Sequence, residues 1–302
     1  MSATYREYLD EETAAIASLD NRTRIAHLRK DLYVPHKEAV DILNQLELLF
    51  DEPDVIRPQG RQLIANSLMG KTTLIDRFRK SHPASDDLDS DHAHVPVLDI
   101  EHPDNPKDRI YSTILSRLGV KPALRPAPSY LADYTIALMK KVGVRILIID
   151  EFHSALHGGP ATQRASLDTV KHIMNQLQRP IVLVGTSEVA SATTHDPQIS
   201  SRFKIIPLRR FNYTIDPDGF EDLLNGFEAL LPLRQFSDLS APELAKMIMS
   251  ITAGVVGEIK DLLVRAATKA IEHGTEKITS DILELCSSSD QSQHPDDIIS
   301  QL

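Results

Sequence analysis

The run Ala65-Asn66-Ser67-Leu68-Met69-Gly70-Lys71-Thr72 constrains this chain more than any other stretch of it. A short apolar segment, Gln62 to Ala65, leads into it, and Leu74, Ile75 and Phe78 follow at helical spacing in a segment from about Gly70 to Lys80. Strand, loop and helix in that order match the phosphate-loop pattern G-x-x-x-x-G-K-[ST], with alanine in place of the first glycine. The physics survives that change. Successive backbone N–H groups and the helix N-terminus attract phosphate oxygens, a lysine neutralises the β and γ charge, and a hydroxyl suits magnesium. The expected nucleotide cradle is Ala65, Asn66, Ser67, Leu68, Met69, Gly70, Lys71, Thr72 and Thr73. Ala65 needs only strand-end geometry there, whereas a side chain on Gly70 would obstruct the nucleotide. ATP and Mg2+ are the cofactors this loop calls for.

A second segment, Ile146-Leu147-Ile148-Ile149-Asp150-Glu151, is a continuous apolar run that delivers two carboxylates at its end. Such a run reads as a strand covered on both faces. In open α/β sheets ligands bind at the carboxyl ends of the strands. The segment resembles Walker B: Asp150 is expected to hold the magnesium shell and Glu151 to polarise the attacking water as general base. Another buried run, Ile181 to Val184, ends in Gly185-Thr186. Thr186 resembles the sensor 1 residue of AAA+ ATPases, which hydrogen-bonds the γ-phosphate or its water, though a threonine closing a strand-end turn reads the same way. Ser200-Ser201-Arg202-Phe203 stands where AAA+ ATPases present an arginine finger to a neighbouring subunit. Arg202 is the expected finger, with Arg209 and Arg210 as rivals and a structural ion pair as the alternative for all three.

Strand patterns alternate with helical ones from the phosphate loop to about residue 210, which implies a parallel sheet. Beyond Phe211 helices dominate, including one opened by Ser240 with Glu243 at capping-box spacing and one from about Glu258 that stops at Gly274. The expected fold is α/β, a P-loop NTPase of AAA+ type: a parallel sheet flanked by helices, with a small C-terminal helical lid. Its expected divisions are an N-terminal helical extension over 1–56, the nucleotide-binding domain over 57–210, the lid over 211–286 and a disordered tail over 287–302. In the extension, Asn21 to Lys30 reads as a short basic helix, and Val40, Leu43, Leu46, Leu49 and Phe50 give the apolar stripe of a second. Thr252-Ala253-Gly254-Val255-Val256-Gly257-Glu258 resembles the start of a sensor 2 helix, but it has Gly257 or Glu258 where many AAA+ proteins place arginine.

Composition narrows the functional classes. A net charge of −10 argues against a protein that coats nucleic acid, and the absence of Trp argues against a base-stacking binder of single strands. The lone cysteine, Cys286, cannot pair within the chain and fits a reducing compartment. No run approaches the roughly 18 apolar residues of a membrane span, so the expectation is a soluble, cytoplasmic bacterial protein with no membrane partner. Twelve histidines include His92/His94 and His153/His157, but neither pair has a third ligand in view, and both read as structural or solvated.

Several stretches taken together resemble the TniB/TnsC family of transposition regulators. They are Arg22 to Leu32, Leu43-Asn44-Gln45-Leu46-Glu47, the phosphate loop with Ile64 before it, Asp150-Glu151-Phe152-His153, and the run from Gly185-Thr186 to Ser201-Arg202-Phe203. The resemblance covers roughly residues 20–285. It implies subunits that assemble with ATP as a homo-oligomeric ring or filament on duplex DNA, recruit a transposase, answer to a target-selection protein of the TniQ type, and disassemble on hydrolysis. It also implies DNA-contacting loops after the second strand, where Lys107, Arg109 and Lys121 are the nearest basic residues, unless these are only solvated charges. A P-loop ATPase that remodels protein partners, or a nucleotide-binding adaptor that does not hydrolyse, are the other readings.

Overall fold

Thirteen helices are seen among the described residues. They are α1 (Glu11–Ala17), α2 (Asn21–Leu28), α3 (Lys37–Phe50), α4 (Lys71–Ser81), α5 (Arg109–Arg117), α6 (Pro128–Lys141), α7 (Pro160–Leu177), α8 (Ser187–Thr194), α9 (Pro197–Ser200), α10 (Pro217–Leu230), α11 (Pro242–Thr252), α12 (Val256–His273) and α13 (Ser280–Gln291). Interleaved with them are strands β1 (Gly60–Ile64), β2 (Val97–Glu101), β3 (Ile146–Asp150), β4 (Ile181–Gly185) and β5 (Phe203–Pro207). This computed structural model describes residues 7–30, 32–53, 55, 57–85, 93–103, 109–121, 127–156, 159–194 and 197–291. The chain divides into two compact units, one of residues 38–209 and one of residues 1–37 with 210–302.

In the first unit the five strands form one sheet in the order β2-β3-β4-β1-β5. Every pairing is parallel, with Leu63 beside Val184 on one side and Ile206 on the other. Central β3 and β4 are buried along nearly their whole length, as continuous apolar strands between helical layers must be. Strand β5 is an edge that buries only Phe203 and Ile206 and leaves Ile205 exposed. Its apolar content lacks the strand periodicity of the others, and the sequence reading did not anticipate it. One face of the sheet packs Leu147, Ile149, Ile181 and Leu183 with Ile114 of α5, Met139 of α6 and Val170 of α7.

Helix α3 belongs to this unit, although the sequence placed residues 1–56 in one extension. Ala39, Ile42, Leu46 and Leu49 are its buried stripe, and Val40, expected inside, lies outside. The C-terminal end of α3 is fixed by Phe50: its carbonyl accepts from Arg145 Nε at 3.1 Å, and its ring stacks on His82 at 3.9 Å between centroids.

The second unit is built from both ends of the chain. Leu28, Leu32 and Val34 share one core with Phe220, Leu223 and Phe227 of α10 and with Leu262, Leu263 and Ala266 of α12. Tyr8 donates its hydroxyl to Leu233 O at 3.1 Å, and the Asp10 N–H donates to Ala229 O at 3.1 Å. Helix α2 forms where a short basic helix was expected, with Arg22 exposed and Arg24 fully buried. Helix α11 does not use the expected capping box: its N-cap is Ala241, with no side-chain cap hydrogen bond. Helix α13 continues to Gln291, into the segment that reads as tail.

Candidate nucleotide site

Strand β1 ends at Ile64, and the Ala65 N–H donates to Gly185 O at 3.0 Å, so the loop leaves the sheet beside the end of β4. Ala65 and Met69 are buried and anchor the loop, while Asn66, Ser67 and Leu68 are exposed between them. Two residues hold left-handed backbone, Leu68 at φ 60° and Gly70 at φ 85°. A side chain at Gly70 would meet nothing within 4 Å, so within the chain it is the backbone conformation that calls for glycine. Gly70 is the N-cap of α4 and offers no side-chain cap, which leaves first-turn N–H groups of the helix for a ligand.

Lys71 is buried, and its ammonium donates to Ala65 O at 3.1 Å and to Asn66 O at 2.9 Å across the inside of the loop. Burial pushes its pKa down, against the pull of the Glu151 and Asp150 carboxylates. A buried cation held mainly by neutral carbonyls is a favourable place for an anion. Thr72, on the next helical position, donates its hydroxyl to Asp150 Oδ2 at 3.3 Å. Burial raises the Asp150 pKa, and the nearby Glu151 charge adds to it, while the Glu151 N–H, the Thr72 hydroxyl and Lys71 act the other way. The Glu151 N–H donates to Asp150 Oδ1 at 2.8 Å, which orients the carboxylate at the tip of β3. Thr72 and Asp150 thus present two hard oxygen donors side by side. That donor set fits Mg2+, which takes one or two protein oxygens and fills its remaining positions with phosphate and water.

Glu151 follows at φ 52° and starts a 3-10 turn, Phe152–Leu156, closed by the Ser154 N–H on Glu151 O at 2.9 Å. Thr186 lies at the end of β4, the strand between β1 and β3, and its hydroxyl oxygen is buried with no hydrogen-bond partner among the described residues. An orphaned buried hydroxyl costs free energy unless a ligand meets it. The sheet order brings Ala65, Asp150, Glu151 and Thr186, from three distant parts of the sequence, to one edge.

Arg202 is elsewhere. Its carbonyl accepts from the Gly60 N–H at 2.9 Å, level with the start of β1, while the phosphate loop leaves the end of that strand. The separation along the sheet is roughly 16 Å at about 3.3 Å per strand residue. Its guanidinium donates to Asn175 Oδ1 at 2.7 Å. Arg209 is bound by Glu38, whose oxygens accept from its N–H at 2.9 Å and its Nη1 at 3.3 Å, and Arg210 belongs to the other unit. Arg109 opens α5 and lines a groove of about 890 Å³ with Asp99, Glu101 and Arg117, whose charges sum to zero. Asp99 engages Arg117 through both oxygens, at 2.7 and 2.9 Å. Lys121 is exposed after α5, whereas Lys107, His92 and His157 lie outside the described residues.

The sequence reading missed one residue beside the site. By sequence His153 reads as structural or solvated, yet its Nε2 lies 3.2 Å from Glu151 Oε2. The short i, i+2 spacing after the acidic pair was the available signal. It conveys proximity only once the chain turns at Glu151.

A parallel sheet in this order, with a phosphate loop after β1, an acidic pair after β3 and a hydroxyl after β4, defines a P-loop ATPase fold of the AAA+ class. Solved structures agree on the fold. The Orc1 protein of Aeropyrum pernix in complex with DNA is similar with a TM-score of 0.58 at 15% identity, over 92% of this chain and 72% of that one. Cdc6p from Pyrobaculum aerophilum gives 0.61 at 18% identity, over 87% and 70%. The Orc2 protein of Aeropyrum pernix, in ADPNP-ADP complexes, gives 0.52 at 17%, over 88% and 71%. Within that class the chain belongs to the TniB family: the family model described as Bacterial TniB protein matches residues 24–213, more than half of it. No curated protein sequence matches the chain. Among the described residues no helix is long and apolar enough to cross a membrane.

Proposed function

We propose that this protein is an ATP-dependent regulator of DNA transposition whose nucleotide-bound copies assemble on duplex DNA and recruit or activate a transposase. Membership of the TniB family points to transposition, and the convergence of Lys71, Thr72, Asp150, Glu151 and Thr186 on one sheet edge is the observation that carries the ATPase part. The loop from Ala65 to Thr73 cradles the phosphates, and Lys71 neutralises their charge. Thr72 and Asp150 hold Mg2+, which draws charge from the phosphate oxygens when bound. Glu151 takes the proton of a water that attacks the γ-phosphorus as the bond to the β,γ-bridging oxygen breaks and ADP leaves. Thr186 donates its hydroxyl to a γ-phosphate oxygen or to that water.

Arg202 serves the site of a neighbouring copy, since it stands at the opposite end of the sheet from its own phosphate loop. Hydrolysis then depends on assembly, and a nucleotide bound between copies favours the assembled state. Arg109 and Lys121, both exposed, contact the DNA backbone, giving binding with little sequence preference and strong sensitivity to salt. A target-selection protein of the TniQ type directs assembly, in the cytoplasm of a bacterium. Slow turnover is expected, because the first turn of α12 carries Gly257 and Glu258 and no arginine.

Sedimentation with duplex DNA at fixed salt tests this reading, comparing ATP, a non-hydrolysable analogue, ADP and no nucleotide. Large DNA-bound assemblies are expected only with triphosphate. Lys71→Ala should abolish them, and Glu151→Gln should form them but slow their reversal. Normal assemblies in Lys71→Ala would overturn the reading. Assembly indifferent to DNA would point instead to protein remodelling, and ATP turnover unchanged by Glu151→Gln to an adaptor.

A further inference from the structure

We infer that His153 is the positioning residue for the Glu151 carboxylate, an inference that rests on Glu151 being the group that accepts the water proton. Nε2 of His153 lies 3.2 Å from Oε2 of Glu151, close enough to pair with that carboxylate when the imidazole is protonated. The Glu151 side chain is otherwise 39% exposed, and three rotatable bonds separate its carboxylate from the backbone.

The imidazole has the fixed seat that the glutamate lacks. Phe152 and Ala155, on either side of it in the 3-10 turn, are both fully buried and clamp the turn to the core. Gly185, the last residue of β4, closes the other side. A Cβ there would sit 3.3 Å from the His153 backbone nitrogen, 3.7 Å from its Nδ1 and 2.7 Å from Val189 Cγ2. The ring therefore lies against the end of β4 at Gly185, the residue before Thr186.

A proton on Nε2 at this distance faces one carboxylate oxygen, a contact longer than a charge-assisted hydrogen bond and able to tighten when nucleotide orders the site. Oε1 is left as the acceptor for the water proton, with the carboxylate held near His153 before nucleotide arrives. Pre-set orientation of a reacting group is where such a contact acts on rate, and it leaves ground-state nucleotide binding to the phosphate loop.

The test measures ATP turnover and nucleotide affinity for the full-length protein with duplex DNA, in the wild type, Glu151→Gln, His153→Ala, His153→Gln and His153→Phe. His153→Ala should lower kcat about tenfold, a modest share of what a positioned base supplies, with nucleotide affinity unchanged. His153→Gln keeps a donor near the Nε2 position and should recover most of the rate, whereas His153→Phe keeps the ring without the donor and should behave like alanine. If the alanine variant does not fold, the Gln and Phe pair decides. Equal rates for that pair, wild-type turnover in His153→Ala, or affinity falling in step with rate would each overturn the inference. Glu151→Gln separates the two levels: if it abolishes turnover while His153→Ala does not slow it, only the positioning role fails. Normal turnover in Glu151→Gln, or none in the wild type, removes both.

Discussion

Arg24 carries a full charge at a position with no solvent exposure. Its Nε and Nη2 donate to Pro232 O at 3.0 and 2.8 Å, Nη1 donates to Asn21 Oδ1 at 3.2 Å, and both ends of the fork engage the Glu276 carboxylate. Arg234 stands 3.6 Å from the same carboxylate. Removing one member of a buried pair strands the other, so Arg24→Met should cost about 3–5 kcal/mol in urea unfolding, and the double variant with Glu276→Gln should cost less than the single one. Burial by itself raises the Glu276 pKa, but the hydrogen bond and charge of Arg24, helped by Arg234, outweigh it and hold the carboxyl below the usual glutamate range. A carboxylate depressed in the folded state contributes stability above its unfolded pKa and loses it as pH falls through the lower folded value. Melting curves in the acid range should show that loss in the wild type, and a shallower one in the double variant.

At the scale of elements, helix α11 shows a sequence signature overridden by its context. Ser240 and Glu243 have capping-box spacing, but Pro242 takes the first helical turn and Ala241 becomes the N-cap in extended backbone, φ −55° and ψ 138°. A hydroxyl at the cap itself would reach first-turn N–H groups that an alanine leaves to water. Ala241→Ser should therefore raise stability by about 1 kcal/mol, and Ser240→Ala should change it little. Thermal melting of both variants checks this, and a loss of stability in Ala241→Ser would contradict the cap assignment. The same element-level logic explains β5. As an edge strand it buries two of its five residues, too few to produce either alternation or a continuous apolar run.

For the whole molecule, the two ends of the chain meet in one unit, so the basic N-terminal segment is structural before it is anything else. Cutting away residues 1–37 removes Leu28, Leu32, Val34 and Arg24 from the core around α10 and α12. Limited proteolysis of that truncation should open the segment from α10 to α13, with the first unit, which has its own sheet and core, still resistant. Equal protection of both units would show that the helical unit folds without its N-terminal part.

The parts of this protein that the sequence determined by itself are those written in local pattern. The phosphate loop, the acidic pair and the continuous runs of β3 and β4 are each contiguous, and periodicity or motif spacing reveals them because the physics that selects them acts within a few residues. Helix α12 and its stop at Gly274 were legible for the same reason. Tertiary structure alone decided what depends on partners far along the chain. Arg24 reads as one charge of a short basic helix until Glu276, 252 residues away, pairs with it in the interior. His153 reads as a structural or solvated histidine until the turn at Glu151 and the missing Cβ of Gly185 bring it beside the carboxylate. The strand order, which sets β4 and its hydroxyl between the loop and the acids and sends Arg202 to the other end of the sheet, follows from packing between strands, and no local period encodes it.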